Sequence, residues 1–287
     1  MSSLSFEPMS ALMGVRAHGI DLRQPITAGD AQALRDSFAR AHVLCVPNQD
    51  ISNDDQIRFA QVFGQANTLF IGAPRKADEP SEDGPEKRGI IYISNVRENG
   101  QAIGALPDGE LHFHSDGAHR KSPYRATTLY AIAIPSHGGE TRFSDLQAAF
   151  DALTPAMQAR IETLRVRNVY DTRATLRTQT NEYDDNLSTA EHPLVRVHPD
   201  TGRKSLYLSQ LMTRNIVGLE RAASEDLLAQ LFEVIERPEF IYDHKWSLGD
   251  LLIWDNRCLN HARSDFPSDQ KRHMRRVTVS EPDFTPA

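Results

Sequence analysis

The sequence predicts a mainly β protein, a jelly-roll-like β-sandwich with helical decoration. Short apolar runs of strand length recur through most of the 287 residues, the strongest at 126–134. Helical periodicity is confined to the N-terminal part and to a few crossover segments. Neither an internal repeat nor a linker divides the chain, so we expect a single domain over residues 1–287.

The N-terminal part predicts two capped helices around one buried strand. Thr27 and Ser52 are each followed three residues later by an aspartate and then by apolar residues at helical spacing. Between these helices, residues 43–47 form an apolar run that ends at proline, which is typical of a buried strand. Residues 89–95 predict the next strand, and the polar segments on either side, 73–88 and 96–110, predict loops.

The rest of the chain predicts strands with two helical crossovers. We expect a helix over 145–165, interrupted at Thr154-Pro155, and a second helix after Ser224. The polar segment 172–190 has the length of a lid or mobile loop. The turn at 199–202 predicts a hairpin between its flanking apolar runs. The remaining strands are expected at 140–143, 240–246, 250–254 and 273–280.

Composition excludes several classes of protein. The net charge of −7, from 32 basic and 39 acidic residues, argues against a nucleic-acid partner. No apolar run reaches the length of a membrane span, and the first residues lack the pattern of a signal peptide. Two cysteines, Cys45 and Cys258, suit a reducing compartment, so we expect a cytoplasmic protein. We also expect a homo-oligomer, a dimer or a tetramer.

Two short stretches carry residues suited to a metal. His114 and Asp116 lie two positions apart in the first stretch, 111–117, and in a strand such residues point to the same face. His261 closes the second stretch, 254–261, and offers a third ligand. Two histidines and one carboxylate on one face of an ion leave three positions open, the arrangement of non-haem Fe(II) oxygenases.

Two arginines follow this set on one predicted strand. Arg272 and Arg276 are four residues apart, so they share a face and lie roughly 13 Å from one another at strand rise. His273 and Arg275 face the other way. An inward arginine is costly unless it meets an anion, so two of them favour two acidic groups or small molecules near one metal.

Together these motifs resemble the taurine / 2,4-dichlorophenoxyacetate (TauD/TfdA) family of Fe(II)- and 2-oxoglutarate-dependent dioxygenases. The resemblance covers about residues 10 to 280, and the combined motif set is specific although each motif alone is weak. Its strongest motifs are His-Ser-Asp at 114–116, Gly-Gly-Glu-Thr at 138–141, the stretch 254–261 and residues 272–278. The family implies a double-stranded β-helix, a cupin-like jelly roll.

The resemblance also implies a role for individual residues. His114, Asp116 and His261 would bind iron. Thr141 would donate a hydrogen bond to 2-oxoglutarate, and Arg272 would pair with its distal carboxylate through two hydrogen bonds. Arg276 would hold the acid group of the primary substrate. The implied reaction uses O2, releases succinate and CO2, and hydroxylates a small organic acid such as an aryloxyalkanoate or alkylsulfonate, in some cases with cleavage of a bond.

The sequence departs from the family pattern beside the first metal histidine. Phe113 stands where a tryptophan is common, and Glu110 stands where an asparagine near the substrate is typical. We therefore count Glu110 among the substrate-binding candidates. Two other functions stay open at this point: a non-catalytic cupin-like metal-binding or sensor protein, and a zinc hydrolase with the same three ligands.

Overall fold

A computed structural model describes residues 3–67, 89–105, 109–170 and 187–280. The predicted loop at 73–88 lies outside these residues, as does most of the predicted loop at 172–190. The α-helices are α1 (Ala28–Ala41), α2 (Asn53–Gln61), α3 (Leu146–Asp151), α4 (Pro155–Ile161) and α5 (Arg221–Ile235).

The strands of the first half of the chain are β1 (Ser5–Pro8), β2 (Val15–His18), β3 (Val43–Val46), β4 (Ile91–Ser94), β5 (Arg97–Glu98), β6 (Gln101–Ala102), β7 (Leu111–His114), β8 (Tyr124–Ala133) and β9 (Thr141–Asp145). Those of the second half are β10 (Arg165–Tyr170), β11 (Ser188–Pro193), β12 (Val195–Val197), β13 (Lys204–Leu206), β14 (Thr213–Ile216), β15 (Ile241–His244), β16 (Leu251–Asp255), β17 (Leu259–Arg263) and β18 (His273–Ser280).

Two sheets form the jelly roll that the sequence predicts. The larger has the order β1-β2-β3-β16-β8-β18-β4, and the smaller has the order β15-β9-β17-β7. An apolar cluster joins them: Leu129, Leu252 and Trp254 come from the larger sheet, whereas Phe143 and Leu259 come from the smaller. Strands distant in sequence are therefore neighbours in space, and the fold is mainly β with a cupin-like core.

The central strands of the larger sheet are buried on both faces. One face meets the smaller sheet, and the other packs beneath α1 and α2 through Phe38, Phe59 and Phe63. A strand covered on both sides has no polar face, which explains why β3, β8 and β16 are nearly continuous apolar runs in the sequence. A separate apolar cluster covers α3 and α5 and the strands between them.

Most predicted elements are confirmed, and the caps explain the sharpest boundaries. Thr27 accepts a hydrogen bond from the backbone of Asp30, and Ser52 forms a full capping box with Asp55. The hairpin of β12 and β13 and the break between α3 and α4 also lie where predicted. No helix in the described part of the chain is long and apolar enough to span a membrane.

Two boundary predictions are wrong. Helix α5 begins at Arg221, and Ser224 lies inside it, where its hydroxyl accepts a hydrogen bond from the backbone of Ile216 at 2.8 Å. The predicted loop 172–190 ends too late, because β11 begins at Ser188 and pairs with β10. Both differences arise from contacts with β14 and β10, which local sequence does not report.

Candidate active site

Two paired strands of the smaller sheet carry the predicted metal ligands. β17 runs antiparallel to β7, and His261 lies directly opposite His114. The prediction that His114 and Asp116 lie on one face of a strand is wrong, because β7 ends at His114 and Asp116 lies beyond it. Asp116 lies in the following turn, where Gly117 takes a positive φ of 78° and packs against Tyr124.

The turn nevertheless brings all three side chains together. The Nε2 atoms of His114 and His261 each lie 3.8 Å from an oxygen of Asp116, and the two imidazole centroids are 4.2 Å apart. The candidate ligand atoms of the three residues all lie within 4.8 Å of one another, and all three residues are buried. Two imidazole nitrogens and one carboxylate are the donor set that an iron facial site requires.

Their protonation also suits a metal. His114 Nδ1 donates to the carbonyl of His112 at 2.9 Å, which leaves the lone pair of Nε2 facing Asp116. Burial lowers the pKa of His114, and burial beside His114 lowers the pKa of His261 to about 3, so both rings are neutral at pH 7. Burial alone would raise the pKa of Asp116, but Arg276 and the imidazoles hold it below its usual range.

Within the described ranges, two other buried clusters contain metal-ligand atoms, His42-His198-Asp255-Cys258 and Cys45-His244-Asp250. In the first, Arg257 donates to both oxygens of Asp255 at 2.8 and 2.6 Å, so the carboxylate is already neutralised by a cation. In the second, Arg16 hydrogen-bonds Cys45 and burial raises the pKa of that thiol to about 12. A thiol that stays protonated at pH 7 is a poor metal ligand. The set at His114 contains no thiol, and Arg276 approaches Asp116 with one nitrogen at 3.4 Å rather than with a two-oxygen contact like that of Arg257 on Asp255.

Arg272 is a buried cation that meets no carboxylate in the described part of the chain. Its side chain is 2 % exposed, and its Nε donates to the carbonyl of Gly139 at 3.1 Å. Within the described residues no carboxylate lies within 4.0 Å of it. Burial and the nearby Arg263 lower its pKa to about 9. Gly139 permits this position, because a Cβ there would lie 3.2 Å from the Nε of Arg272.

Thr141 and its neighbours provide a hydrogen-bond donor close by. Thr141 lies on β9 two residues after Gly139 and is opposite Arg263 in the register of β17. The indole of Trp246 donates to the Thr141 hydroxyl oxygen at 3.1 Å. Because an indole can only donate, the proton of the threonine hydroxyl is left to donate to another group.

Arg276 reaches the metal-ligand cluster itself. Its Nη1 lies 3.4 Å from Asp116 Oδ1, whereas its Nε is buried and has no hydrogen-bond partner among the described residues. Glu110, the carboxylate that we considered as its alternative partner, is exposed at the start of β7 and forms no ion pair with it in the described structure. Arg272 and Arg276 contact different groups, as expected from their spacing.

Sequence reasoning missed several residues around this cluster. It assigned no role to Thr127, Trp246 or Asn256, although Asn256 lies in the stretch 254–261. Thr127 lies in the middle of an apolar strand, yet its hydroxyl donates to Asp116 Oδ2 at 2.7 Å. The signal that the sequence offered was a polar residue within the apolar run 126–134.

The comparisons with known proteins agree with this geometry. The family model for the taurine catabolism dioxygenase TauD, TfdA family matches residues 5–278. The chain belongs to this family. A (S)-phenoxypropionate/alpha-ketoglutarate-dioxygenase of Sphingobium herbicidovorans is 33 % identical, over 93 % of this chain and 91 % of the relative. An alpha-ketoglutarate-dependent 2,4-dichlorophenoxyacetate dioxygenase of Cupriavidus pinatubonensis is 31 % identical, over 96 % and 98 %.

Solved structures extend the similarity. The crystal structure of AAD-2 in complex with Mn(II) and N-oxalylglycine matches with a TM-score of 0.79 and 30 % identity, over 99 % of each chain. The TauD/TfdA member described here is a 2-oxoglutarate-dependent non-haem iron dioxygenase, which uses Fe(II), 2-oxoglutarate and O2. The two relatives named above are dioxygenases, neither zinc hydrolases nor sensor proteins.

Proposed function

We propose that this dioxygenase hydroxylates a small organic acid at a centre held by His114, Asp116 and His261. The observation that carries the proposal is the convergence of these three buried side chains, with their ligand atoms within 4.8 Å of one another. Bound Fe(II) would couple the decarboxylation of 2-oxoglutarate by O2 to oxidation of a substrate C–H bond. The protein's contribution is to occupy one face of the ion and leave three positions for reactants.

Arg272 and Thr141 would bind the distal carboxylate of 2-oxoglutarate. Arg272 is a buried guanidinium with no anion beside it among the residues that the structure describes, and Thr141 has a hydroxyl proton free to donate because Trp246 donates to its oxygen. A carboxylate that accepts from both would neutralise the cation with charge-assisted hydrogen bonds. The same contacts would orient the other end of the cosubstrate toward the metal ligands.

Arg276 would hold the acid group of the primary substrate. Its guanidinium lies 3.4 Å from Asp116, so an acid bound there would place its neighbouring carbon beside the metal centre. Two relatives act on phenoxypropionate and 2,4-dichlorophenoxyacetate, which supports an aryloxyalkanoate as the substrate class, with an alkylsulfonate as the second candidate. Hydroxylation of a carbon beside an ether oxygen gives a hemiacetal, which collapses to a phenol and a carbonyl compound. Glu110 remains a candidate substrate contact at the entrance to β7.

The metal assignment is tested by anaerobic titration with Fe(II) and 2-oxoglutarate. The wild-type protein should develop a visible charge-transfer band, and Asp116→Ala should lose it because the only anionic ligand is gone. Asp250→Asn, an isosteric change in the cluster with Cys45 and His244, should keep the band. A band that survives in Asp116→Ala and disappears in Asp250→Asn would place the iron elsewhere.

The substrate class is tested by product formation. Aryloxyalkanoates, alkylsulfonates and amino-acid-like acids should be screened for succinate release together with oxidised substrate. An aryloxyalkanoate should give phenol and succinate in equal amounts. Succinate without oxidised product from every acid of the screen would contradict the assignment.

We also propose that one dioxygenase domain spans residues 1–287 and acts in the cytoplasm as a homo-oligomer, a dimer or a tetramer. The family model covers residues 5–278, and Cys45 and Cys258 are both free and buried, which suits a reducing compartment. Light scattering after size exclusion would measure the oligomeric state, and a monomer at micromolar concentration would contradict it.

A further inference from the structure

We propose that Thr127 and Asn256 are positioning residues that lock the carboxylate of Asp116 into binding iron through a single oxygen. This inference rests on the proposed metal site. The three residues form a chain of hydrogen bonds with Trp254, and each of the four is 6 % exposed or less. The chemistry of the side chains determines which group donates and which accepts in each hydrogen bond of this chain.

The chain starts at a group that can only donate. Trp254 Nε1 donates to Asn256 Oδ1 at 3.1 Å. Because the indole N–H has no acceptor capacity, the atom that it meets must be the amide oxygen of Asn256. The other end of the same amide is therefore the NH2 group, and it donates to Thr127 Oγ1 at 2.9 Å.

The threonine hydroxyl passes this direction on to the metal ligand. With the Asn256 amide bound to its oxygen, the single proton of Thr127 points to Asp116 Oδ2, 2.7 Å away. A hydroxyl alone could rotate its proton toward another acceptor. The Asn256 amide removes that freedom, so the Thr127 hydroxyl donates to Asp116 Oδ2 and holds the carboxylate in one orientation about its Cβ–Cγ bond.

The lock matters because the reaction needs every open position. Three protein ligands would leave three positions on a bound iron, two for 2-oxoglutarate and the third for O2. A carboxylate that rotated to bind through both oxygens would occupy one of these sites. The hydrogen bond from Thr127 opposes that rotation and so keeps the third site available.

The same segment supports the other ligands. Ser115, between His114 and Asp116, donates through its hydroxyl to the backbone carbonyl of Asn256 at 2.7 Å. The ring of Trp254 lies 4.7 Å from that of His261, measured between centroids. Residues 254–256 thus contact the turn of Asp116 and one metal-ligating ring.

Thr127→Val tests the lock, because valine keeps the shape of threonine and removes the hydroxyl. The next residue supplies a matched control. Thr128 is also fully buried on β8, its hydroxyl donates to Val277 O at 3.1 Å, and it accepts from Gln56 Nε2 at 3.0 Å, but it faces away from the metal ligands. Thr128→Val therefore loses an equivalent pair of hydrogen bonds without touching Asp116.

The measurements are the Kd for Fe(II) under argon, the ligand-field spectrum of the Co(II)-loaded protein, and the melting temperature. Loss of a hydrogen bond to a metal ligand typically costs 10- to 100-fold in metal affinity. We expect Thr127→Val to lose about that much and to change the Co(II) spectrum. Thr127→Ser should restore both, and Thr128→Val should lower only the melting temperature.

Trp254→Phe provides a second test that leaves β8 intact. It keeps an aromatic ring against His261 but removes the donor that orients Asn256, so Fe(II) should bind about threefold or more weakly. The inference is overturned if Thr127→Val and Trp254→Phe bind Fe(II) like the wild type, or if Thr128→Val weakens binding equally. Asp116→Ala in the same titration distinguishes failure of this inference from failure of the proposed metal site. If that variant binds Fe(II) like the wild type, the proposed metal site itself is wrong.

Discussion

Replacing Arg272 with methionine should stabilise the unliganded protein and weaken cosubstrate binding. Arg272 is buried, its side chain donates a hydrogen bond to the carbonyl of Gly139, and it has no carboxylate partner among the described residues. Methionine fills similar space without a charge. The folded protein would then no longer bury an unpaired cation, and 2-oxoglutarate would lose its charged partner.

The structure supports an estimate of both effects. Burial and Arg263 lower the pKa of Arg272 from 12.5 to about 9, which at about 1.36 kcal/mol per pH unit costs the folded state on the order of 4 to 5 kcal/mol. The lost hydrogen bond and packing offset part of the gain, so we expect a net stabilisation of about 1 to 3 kcal/mol. A charge-assisted hydrogen bond is worth about 1.5 to 3 kcal/mol, so the Kd for the cosubstrate should rise about 10- to 150-fold.

The sign of the pH dependence follows from the same shift. Below pH 9 Arg272 is protonated in both the folded and the unfolded protein, so at pH 7 the folded state bears the full free-energy cost of burying the charged guanidinium. As the pH rises above 9, the folded state releases the proton first and the penalty is relieved. The stability advantage of Arg272→Met should therefore narrow at alkaline pH.

The assay is thermal unfolding with Mn(II), with and without N-oxalylglycine, the pair named in the solved relative. At 100 times its Kd the analogue should stabilise the wild type by about 2.7 kcal/mol, and the same concentration should stabilise Arg272→Met by about 1.4 kcal/mol or less. Arg275→Met is the matched control, since Arg275 is also buried but donates to Asn53, Gln56 and two backbone carbonyls. Arg275→Met should lower the free energy of unfolding, and N-oxalylglycine should stabilise it by as much as it stabilises the wild type.

One result would refute this reasoning. If Arg272→Met unfolds as readily as Arg275→Met and responds to N-oxalylglycine like the wild type, Arg272 is a structural residue. In steady-state kinetics the corresponding Arg272→Ala variant should show at least a roughly tenfold higher KM for 2-oxoglutarate. An unchanged KM would likewise indicate that Arg272 does not bind 2-oxoglutarate.

Three further predictions concern the rest of the site. Asp116→Ala should abolish succinate formation that depends on 2-oxoglutarate, and normal turnover by this variant would defeat the metal assignment. Arg276→Ala should raise the KM of the acid substrate about tenfold or more and release succinate in excess of oxidised product; a large fall in melting temperature with both quantities unchanged would make Arg276 structural instead. Trp246→Phe removes the donor that directs the Thr141 hydroxyl, so the KM for 2-oxoglutarate should rise by about threefold to tenfold while kcat changes little, and a fall in kcat alone would argue against this orientation.

The sequence by itself determined the central strands of the larger sheet, the capped helices and the residue types of the site. These central strands are buried on both faces, so their apolar runs are visible without any knowledge of their partners. Caps such as Ser52 act on the next three residues, so their signal is local as well. The combination of His114, Asp116 and His261 with two downstream arginines limited the chemistry before any distance was known.

The tertiary structure alone decided how these residues meet. The pairing of β17 with β7 joins positions 147 residues apart, His114 and His261, and a turn rather than a strand carries Asp116. The hydrogen bond from Thr127 to Asp116 could not be predicted, because a threonine in an apolar strand has no local sign of the partner across the sandwich. Charge partners likewise depend on which strands become neighbours, and this is why Arg276 meets Asp116 rather than Glu110.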